Sequence, residues 1–360
     1  MTIHNFSAGP GILPACVLQE AAAQLSNFRG TGLSILEVSH RSRPYRDLQE
    51  EATASWRQVY DVPADYEVLF LQGGASTQFA AVPLNLIGAG ESADYVNTGR
   101  WSQKAIEEVA ELGRDHRVAA TSQDKGHNYI PAQAQLQLDR RARYLHITSN
   151  NTIFGTQYAN WPDAGDVPLV VDASSDMLSR PLRWDRLGLL YGGAQKNAGI
   201  SGLTVVCLRP DLIPCRSGNV PKMLRYETHA EAQSLYNTPP TFGVLVLSLI
   251  LQWIEDQGGL AAVAGNNERK ATVLYDVLDG SGFYQGHADV DSRSVMNVVF
   301  RIAERILEEE FCTMAEDQGL VGLKGHRAAG GIRASIYNAM TIEGCRSLAD
   351  FMVDFARKKG

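Results

Sequence analysis

Apolar residues in this chain recur in two rhythms. ACVLQEAAAQLSNF, YRDLQEEATASWRQVY, TQFAAVPLNLI and SQKAIEEVAELG carry them at helical spacing and predict helices. Between these segments stand short apolar runs: EVLFLQGGAS from Glu67, ending in glycines, SADYVNTGRW from Ser92, HRVAATS from His116, ARYLHITSNN from Ala142, VPLVVDASS from Val167, LGLLYGGAQ from Leu187 and LTVVCLRP from Leu203. The run ending at Asp172 is nearly continuous rather than alternating, as in strands covered on both faces of a parallel sheet. Strands and helices in alternation over about 200 residues predict a doubly wound, mainly parallel α/β domain. Ligands in such domains collect outside the carboxyl ends of the strands. The polar clusters named below are expected at such ends.

After the apolar run FGVLVLSLILQWI, from Phe242 to Ile254, the pattern changes. NNERKATVLYDVLDGSG, LEEEFCTMAEDQG and EGCRSLADFMVDFARKKG predict helices, and RSVMNVVFRI and GGIRASIYNAM predict strands. This reads as a smaller α+β domain. We place the large domain at 16–255 and the small C-terminal domain at 256–360, together with segment 1–15. A chain of 360 residues exceeds the usual size of a single core, which favours two domains.

Composition narrows the function. Lys and Arg number 33 against 40 Asp and Glu, giving a net charge of −7, and no basic run stands out. That counts against nucleic acid and against a membrane surface as partners. The 242–254 run is too short to span a bilayer. MTIHNFSAGPGILP lacks the charged and apolar regions of a signal peptide. Five scattered cysteines without C-x-x-C spacing argue against a disulfide framework and a metal site, and suit free thiols in the cytoplasm.

Lys196 lies in the small-residue stretch LYGGAQKNAGISGLTVV. Three readings compete: a snorkelling surface lysine, a P-loop lysine, or a neutral amine for Schiff-base chemistry. The P-loop requires Ser or Thr after the lysine, and Asn197 stands there. Asp172, one strand earlier, suits a helix N-cap, or a partner that keeps a pyridine nitrogen protonated. Gly73, Gly74, Ala75 and Ser76 suit a plain turn or a phosphate cradle at a helix start. Trp101 suits core packing or stacking on a flat ring. Thr152 suits an N-cap or a hydrogen bond to a cofactor's ring hydroxyl. His40, Arg41, Arg43 and Arg46 form one cationic cluster, and His326, Arg327 and Arg333 another. Each suits a solvated surface or the recognition of carboxylate and phosphate. A strand-end Asp, a further strand and then Lys196 favour a phosphate-bearing pyridoxal cofactor over either residue read alone.

NFSAGPGILP, SHRS, NTGRWS, DASSD, YGGAQKN, YNTPPT and GHRAAGGIRASIYNAM together resemble the phosphoserine aminotransferase family of class-V pyridoxal-phosphate enzymes, from residue 5 to the C-terminus. The resemblance implies fold type I and a homodimer with active sites at the subunit interface. It implies amino transfer from L-glutamate to 3-phosphohydroxypyruvate in serine biosynthesis; related enzymes also accept 4-phosphohydroxy-L-threonine of pyridoxine synthesis, whose use here the sequence leaves open. By the same resemblance Lys196 is the Schiff-base lysine, Asp172 the pyridine-nitrogen partner, Trp101 the stacking residue and Thr152 the ring-hydroxyl ligand. Ala75, Ser76 and Gln195 hold the cofactor phosphate, with Asn237 and Thr238 of the other subunit. His40, Arg41, His326, Arg327 and Arg333 bind substrate anions. Ser76 departs from those relatives that carry arginine there. Rival readings are a class-V aminotransferase for another small amino acid, a cysteine desulfurase, and a catalytically silent binding protein. No reactive-cysteine loop favours the desulfurase, since Cys312 and Cys345 fall in helical patterns.

Overall fold

The computed structural model describes residues 2–360. Seven strands form one sheet in the spatial order Glu67–Gln72, Leu203–Leu208, Leu187–Gly193, Leu169–Asp172, Leu145–Thr148, Ser92–Asn97, Asp115–Thr121. Neighbours run parallel except at Leu203–Leu208, which is antiparallel to both strands beside it. The expected mainly parallel α/β fold is therefore present. Its two faces explain the unbroken apolar runs. Val170 and Leu189 pack on one face with Phe79, Val82, Ile106 and Val109 from the helices Ala75–Leu86 and Arg100–Glu111. Val171 and Leu190 pack on the other with Trp56 and Leu247 from Arg43–Tyr60 and Thr241–Asp256. Alternate side chains thus enter two different cores, so a strand such as Leu169–Asp172 has no solvent side.

A second cluster gathers around Phe311, which contacts Tyr284, Phe300, Phe351 and Phe355 edge-on. Here the antiparallel strands Tyr284–Gly286, Asn297–Ile302 and Ile332–Ser335 pack with the helices Gly259–Gly280, Ile306–Asp317 and Ile342–Lys359. His4–Asn5 pairs in parallel with Leu320–Val321, and Phe6 enters this cluster.

Several boundaries differ from the sequence reading; the strand expected over 92–101 ends at Asn97, so that Arg100 and Trp101 open a helix, and the one expected over 330–340 spans only Ile332–Ser335. The helix expected from Asn266 begins at Gly259, because Gly258 at φ +92° turns the chain into it rather than ending it. The strand expected over 293–302 pairs only from Asn297. The strand expected over 142–151 stops at Thr148, and Asn150–Asn151 turns into a hairpin with Thr156–Gln157. That break puts Thr152 in a turn beyond the sheet. Two placements also fail. His40 and Arg41 follow no sheet strand; they sit in the turn before Arg43–Tyr60, upstream of the first sheet strand. Likewise His326 and Arg327 lie in a loop leading into Ile332–Ser335.

All five cysteines are unpaired. No single helix among the described residues is long and apolar enough to cross a membrane.

The loop carrying His326 closes on itself, with Gly325 N–H donating to Gly331 C=O at 2.9 Å. A Cβ on Gly325 would run into the carbonyls of Gly330 and Gly331. Backbone obstacles cannot rotate away, so Gly325→Ala should cost about 1–3 kcal/mol of stability. A urea midpoint identical to that of the parent would show that the loop opens freely.

Candidate active site

Gln72, Asn97, Thr148, Asp172 and Gly193 end their strands at one edge of the sheet. A cavity of about 150 Å³ lies there, lined by Gly73–Ser76, Phe79, Trp101, Thr148, Asn150, Asp172, Ser174, Ser175, Gln195 and Lys196. Six sequence-predicted residues therefore meet in one place: Ala75, Ser76, Trp101, Asp172, Gln195 and Lys196. Thr152 joins them through Lys196.

Lys196 is only 9 % exposed. Its Nζ donates to Thr152 Oγ1 at 2.8 Å and lies 5.6 Å from the Trp101 ring centroid. The N-terminal segment lies against it. Gly11 N–H donates to Gln195 C=O at 2.8 Å, and a Cβ on Gly11 would come within 2.7 Å of the Lys196 carbonyl oxygen. Tyr337 Oη fastens that segment by donating to Ala8 C=O at 2.6 Å. Burial pulls the Lys196 pKa down to about 8; Asp172 opposes the fall and Arg333 adds to it.

Asp172 is 4 % exposed. Its Oδ1 accepts from Ser174 N–H at 3.0 Å and Ser174 Oγ at 2.6 Å. Ser174 Oγ in turn accepts from Gly193 N–H at 3.2 Å, which ties the two strand ends together. Burial holds the Asp172 pKa above the usual carboxylate range, against the Ser174 hydrogen bonds and the Lys196 charge. A cationic group beside Asp172 would relieve that penalty.

Ala75 and Ser76 open the helix Ala75–Leu86, where backbone N–H groups have no intrahelical acceptor. Gly74 ahead of them has φ +110°, and a Cβ there would meet open space, so a ligand can approach the backbone. Trp101 Nε1 and Thr148 Oγ1 are buried without a hydrogen-bond partner. A buried amine, a buried carboxylate and unsatisfied polar atoms around one cavity are the wall of a polar ligand site rather than a packing defect.

Arg333 projects from the strand Ile332–Ser335, half-buried, with its Nε buried and unpartnered. It makes no ion pair among the described residues, although burial lowers its pKa. His326 Nδ1 accepts from Ala328 N–H at 3.1 Å, so a neutral ring offers Nε2–H outward. Burial and the charges of Arg333, Arg327, Arg100 and Lys104 hold its pKa down. Arg327 is exposed.

Like His326, Arg327 and Arg333, four further predicted residues stand apart from the cavity wall. Arg41 is exposed in the 39–42 turn beside the half-buried His40. Asn237 and Thr238 line no part of this cavity; Thr238 is exposed, and its C=O accepts from Gln72 Nε2 at 2.5 Å. Sequence reasoning missed Ser174, which orients Asp172, and Tyr337, which fastens the cover over Lys196. The DASS spacing could have shown the first, because Asp commonly accepts from the residue two positions on. No local pattern signals the second.

The charge balance at Lys196 can be tested with a small aromatic aldehyde and borohydride trapping on protein freed of small molecules. Adduct at Lys196 should rise with pH through about 8. Asp172→Asn removes the carboxylate that favours the ammonium, so the midpoint should move lower. A midpoint near the ordinary 10.5 would mean the amine is solvated.

Residues 3–348 match the family model for class-V aminotransferases. A phosphoserine aminotransferase of Herpetosiphon aurantiacus is 52% identical over 361 residues, covering 100% of both chains. The solved phosphoserine aminotransferase of Bacillus circulans subsp. alkalophilus is 49% identical, with a TM-score of 0.97 over 100% of this chain and 99% of that one. A pyridoxal-phosphate-bound phosphoserine aminotransferase of Trichomonas vaginalis is 35% identical, with a TM-score of 0.92 over 98% and 100%. With a buried lysine and aspartate meeting at the strand ends and the match running almost from end to end, the chain belongs to the class-V aminotransferase family.

Proposed function

We propose that this protein is a pyridoxal-phosphate-dependent phosphoserine aminotransferase, moving the amino group of L-glutamate to 3-phosphohydroxypyruvate. The observation that carries the reading is the unpaired, half-buried Arg333, whose charge acts on the buried Lys196 and, with that of Arg327, on His326. Both substrates are anionic at two ends, and such cations without carboxylate partners suit them. An aminotransferase for a neutral amino acid has one anionic end to hold.

The residues present fit the cofactor. The N–H groups of Ala75 and Ser76, with Gln195, would hold its phosphate at a helix start. Trp101 would supply a flat face, Asp172 a partner for the ring nitrogen, and Thr152 a hydrogen bond to the ring hydroxyl. When bound, pyridoxal phosphate supplies an aldehyde that takes the amino group from one substrate and gives it to the next, and a ring that withdraws the electrons left when the α-proton departs. Lys196, depressed toward neutral pH, takes the α-proton as an amine and returns it as an ammonium. Arg333 would fix the α-carboxylate, while His326, Arg327, His40 and Arg41 would meet the distal anion. Gly9 to Gly11, lying against Lys196, keep water from its stem.

We further propose a large unit at 16–255 and a small unit at 256–360 with 1–15, supported by the separate cluster that Phe6 shares with Phe311. We also propose a cytoplasmic homodimer in which Asn237 and Thr238 reach the partner's cofactor phosphate. Their position outside their own chain's cavity and the unpaired thiols support this.

The activity is tested by loading the protein with pyridoxal phosphate and following transfer from L-glutamate to 3-phosphohydroxypyruvate, pyruvate and glyoxylate. The phosphorylated acceptor should win by about tenfold or more in kcat/KM. Preference for an unphosphorylated acceptor would favour a different class-V aminotransferase. The shared site is tested by mixing two inactive variants, Lys196→Ala and Thr238→Asp, under subunit exchange. A hybrid dimer then holds one doubly damaged and one intact site, so roughly a quarter of all sites should work. No recovery despite verified exchange would place Thr238 outside the neighbouring site.

A further inference from the structure

Lys104 stands one turn after Trp101 on the helix Arg100–Glu111, and its Nζ lies 5.4 Å from the indole centroid. Lys196 Nζ lies 5.6 Å from that same centroid. One ring therefore borders two amines of different kind: Lys196 is buried, while Lys104 is half-buried at the rim. The neighbours of Lys104 are engaged. Arg100 pairs with Glu107 at 3.1 Å, and Gln103 donates to the same carboxylate at 3.3 Å. Lys104 itself makes no ion pair and no side-chain hydrogen bond among the described residues.

The loop bearing His326 and Arg327 reaches the same ring. Ala329 packs in a small cluster with Ile153 and Phe154, against which Trp101 lies. Lys104 is also close enough to His326 to help hold its pKa down, with Arg333, Arg327 and Arg100. Elsewhere on this net-acidic chain cations are commonly matched, as in Arg216 with Glu91, Arg209 with Asp211 and Arg293 with Asp279. Lys104, Arg327 and Arg333 are three unmatched cations around the neutral His326 ring; they repel one another and hold an anion best when it carries more than one charge.

We propose that Lys104 is a specificity-determining residue, whose ammonium takes the phosphate end of the phosphorylated substrate at the edge of Trp101 together with His326 and Arg327. This rests on the aminotransferase reading above. The chemistry suits the residue. A lysine is a compact charge with three donors on a flexible stem, able to follow a tetrahedral dianion, whereas the planar fork of Arg333 matches a carboxylate. A phosphate gains from each added cation more than a singly charged distal carboxylate does, so Lys104 separates the two amino donors by charge.

The experiment uses the pyridoxal-phosphate-loaded protein and measures each amino donor alone, O-phospho-L-serine and L-glutamate, with parent, Lys104→Met and Lys104→Arg. Met is a good helix former, and near-UV circular dichroism checks that the fold is kept. In Lys104→Met, kcat/KM for O-phospho-L-serine should fall about 10- to 100-fold, mainly through KM. The inhibition constant of inorganic phosphate should rise in parallel, while kcat/KM for L-glutamate changes less than about threefold. Lys104→Arg should recover most of the loss. Equal losses on both donors would mean a structural role and overturn the assignment, as would no loss on either. A parent protein that reacts with L-glutamate but not with O-phospho-L-serine would instead overturn the phosphoserine reading itself.

Discussion

The arrangement depends on keeping one lysine amine out of water. Burial pulls Lys196 down toward pH 8, and the sheet supplies what makes this tolerable. Asp172 ends the adjacent parallel strand, and Ser174 fixes it to Gly193, three residues before the lysine. Thr152, aimed by the break after Thr148, accepts from the amine. The cover comes from the far end of the molecule. Residues 8–11 reach Lys196 because Tyr337 holds Ala8 and because His4–Asn5 is anchored on Leu320–Val321. A single desolvated amine thus links the large sheet, the chain's start and the C-terminal cluster.

Two charges act on that amine in opposite senses. Asp172 favours the ammonium and Arg333 disfavours it. An anion seated on Arg333 cancels the second influence without touching the first, so Lys196 becomes a stronger base when a carboxylate arrives. In the proposed arrangement, a substrate carboxylate on Arg333 would couple binding to proton acceptance through electrostatics. His326 follows the same logic. Its ring is held neutral by surrounding cations, and Nε2–H remains a donor to whatever anion enters.

The parts of the fold that were legible in sequence are those decided by burial on both sides. Leu169–Asp172 and Leu187–Gly193 read as strands because Val170 and Val171 enter different cores, which leaves no polar position to blur the signal. Lys196 and Asp172 were legible because small and polar residues at two strand ends contradict the apolar pattern around them. The helix read from Asn266 starts earlier, at Gly259, because the positive φ of Gly258, a backbone feature without a periodic trace, turns the chain into it. Tyr337 and Lys104 were illegible for a different reason. Each matters through a contact distant in sequence or through an absent partner, and neither leaves a periodic trace. Asn237 and Thr238 were named from resemblance alone, and one chain by itself gives them no ligand to touch.

In the proposed arrangement the site must hold two kinds of anion a short distance apart without confusing them. The fold separates them by the kind of donor. At the cofactor end, Gly74 exposes the N–H groups of Ala75 and Ser76, so a phosphate is held by backbone dipoles that add no net charge. Ser76 keeps that corner neutral. At the substrate end, Arg333, Arg327 and Lys104 carry full charges on side chains from the C-terminal unit and from the helix that bears Trp101. Full charges at both ends would let either anion occupy either place. Dipoles at one and cations at the other give the permanent ligand a fixed seat, and leave the stronger long-range field for the substrates that must arrive and leave.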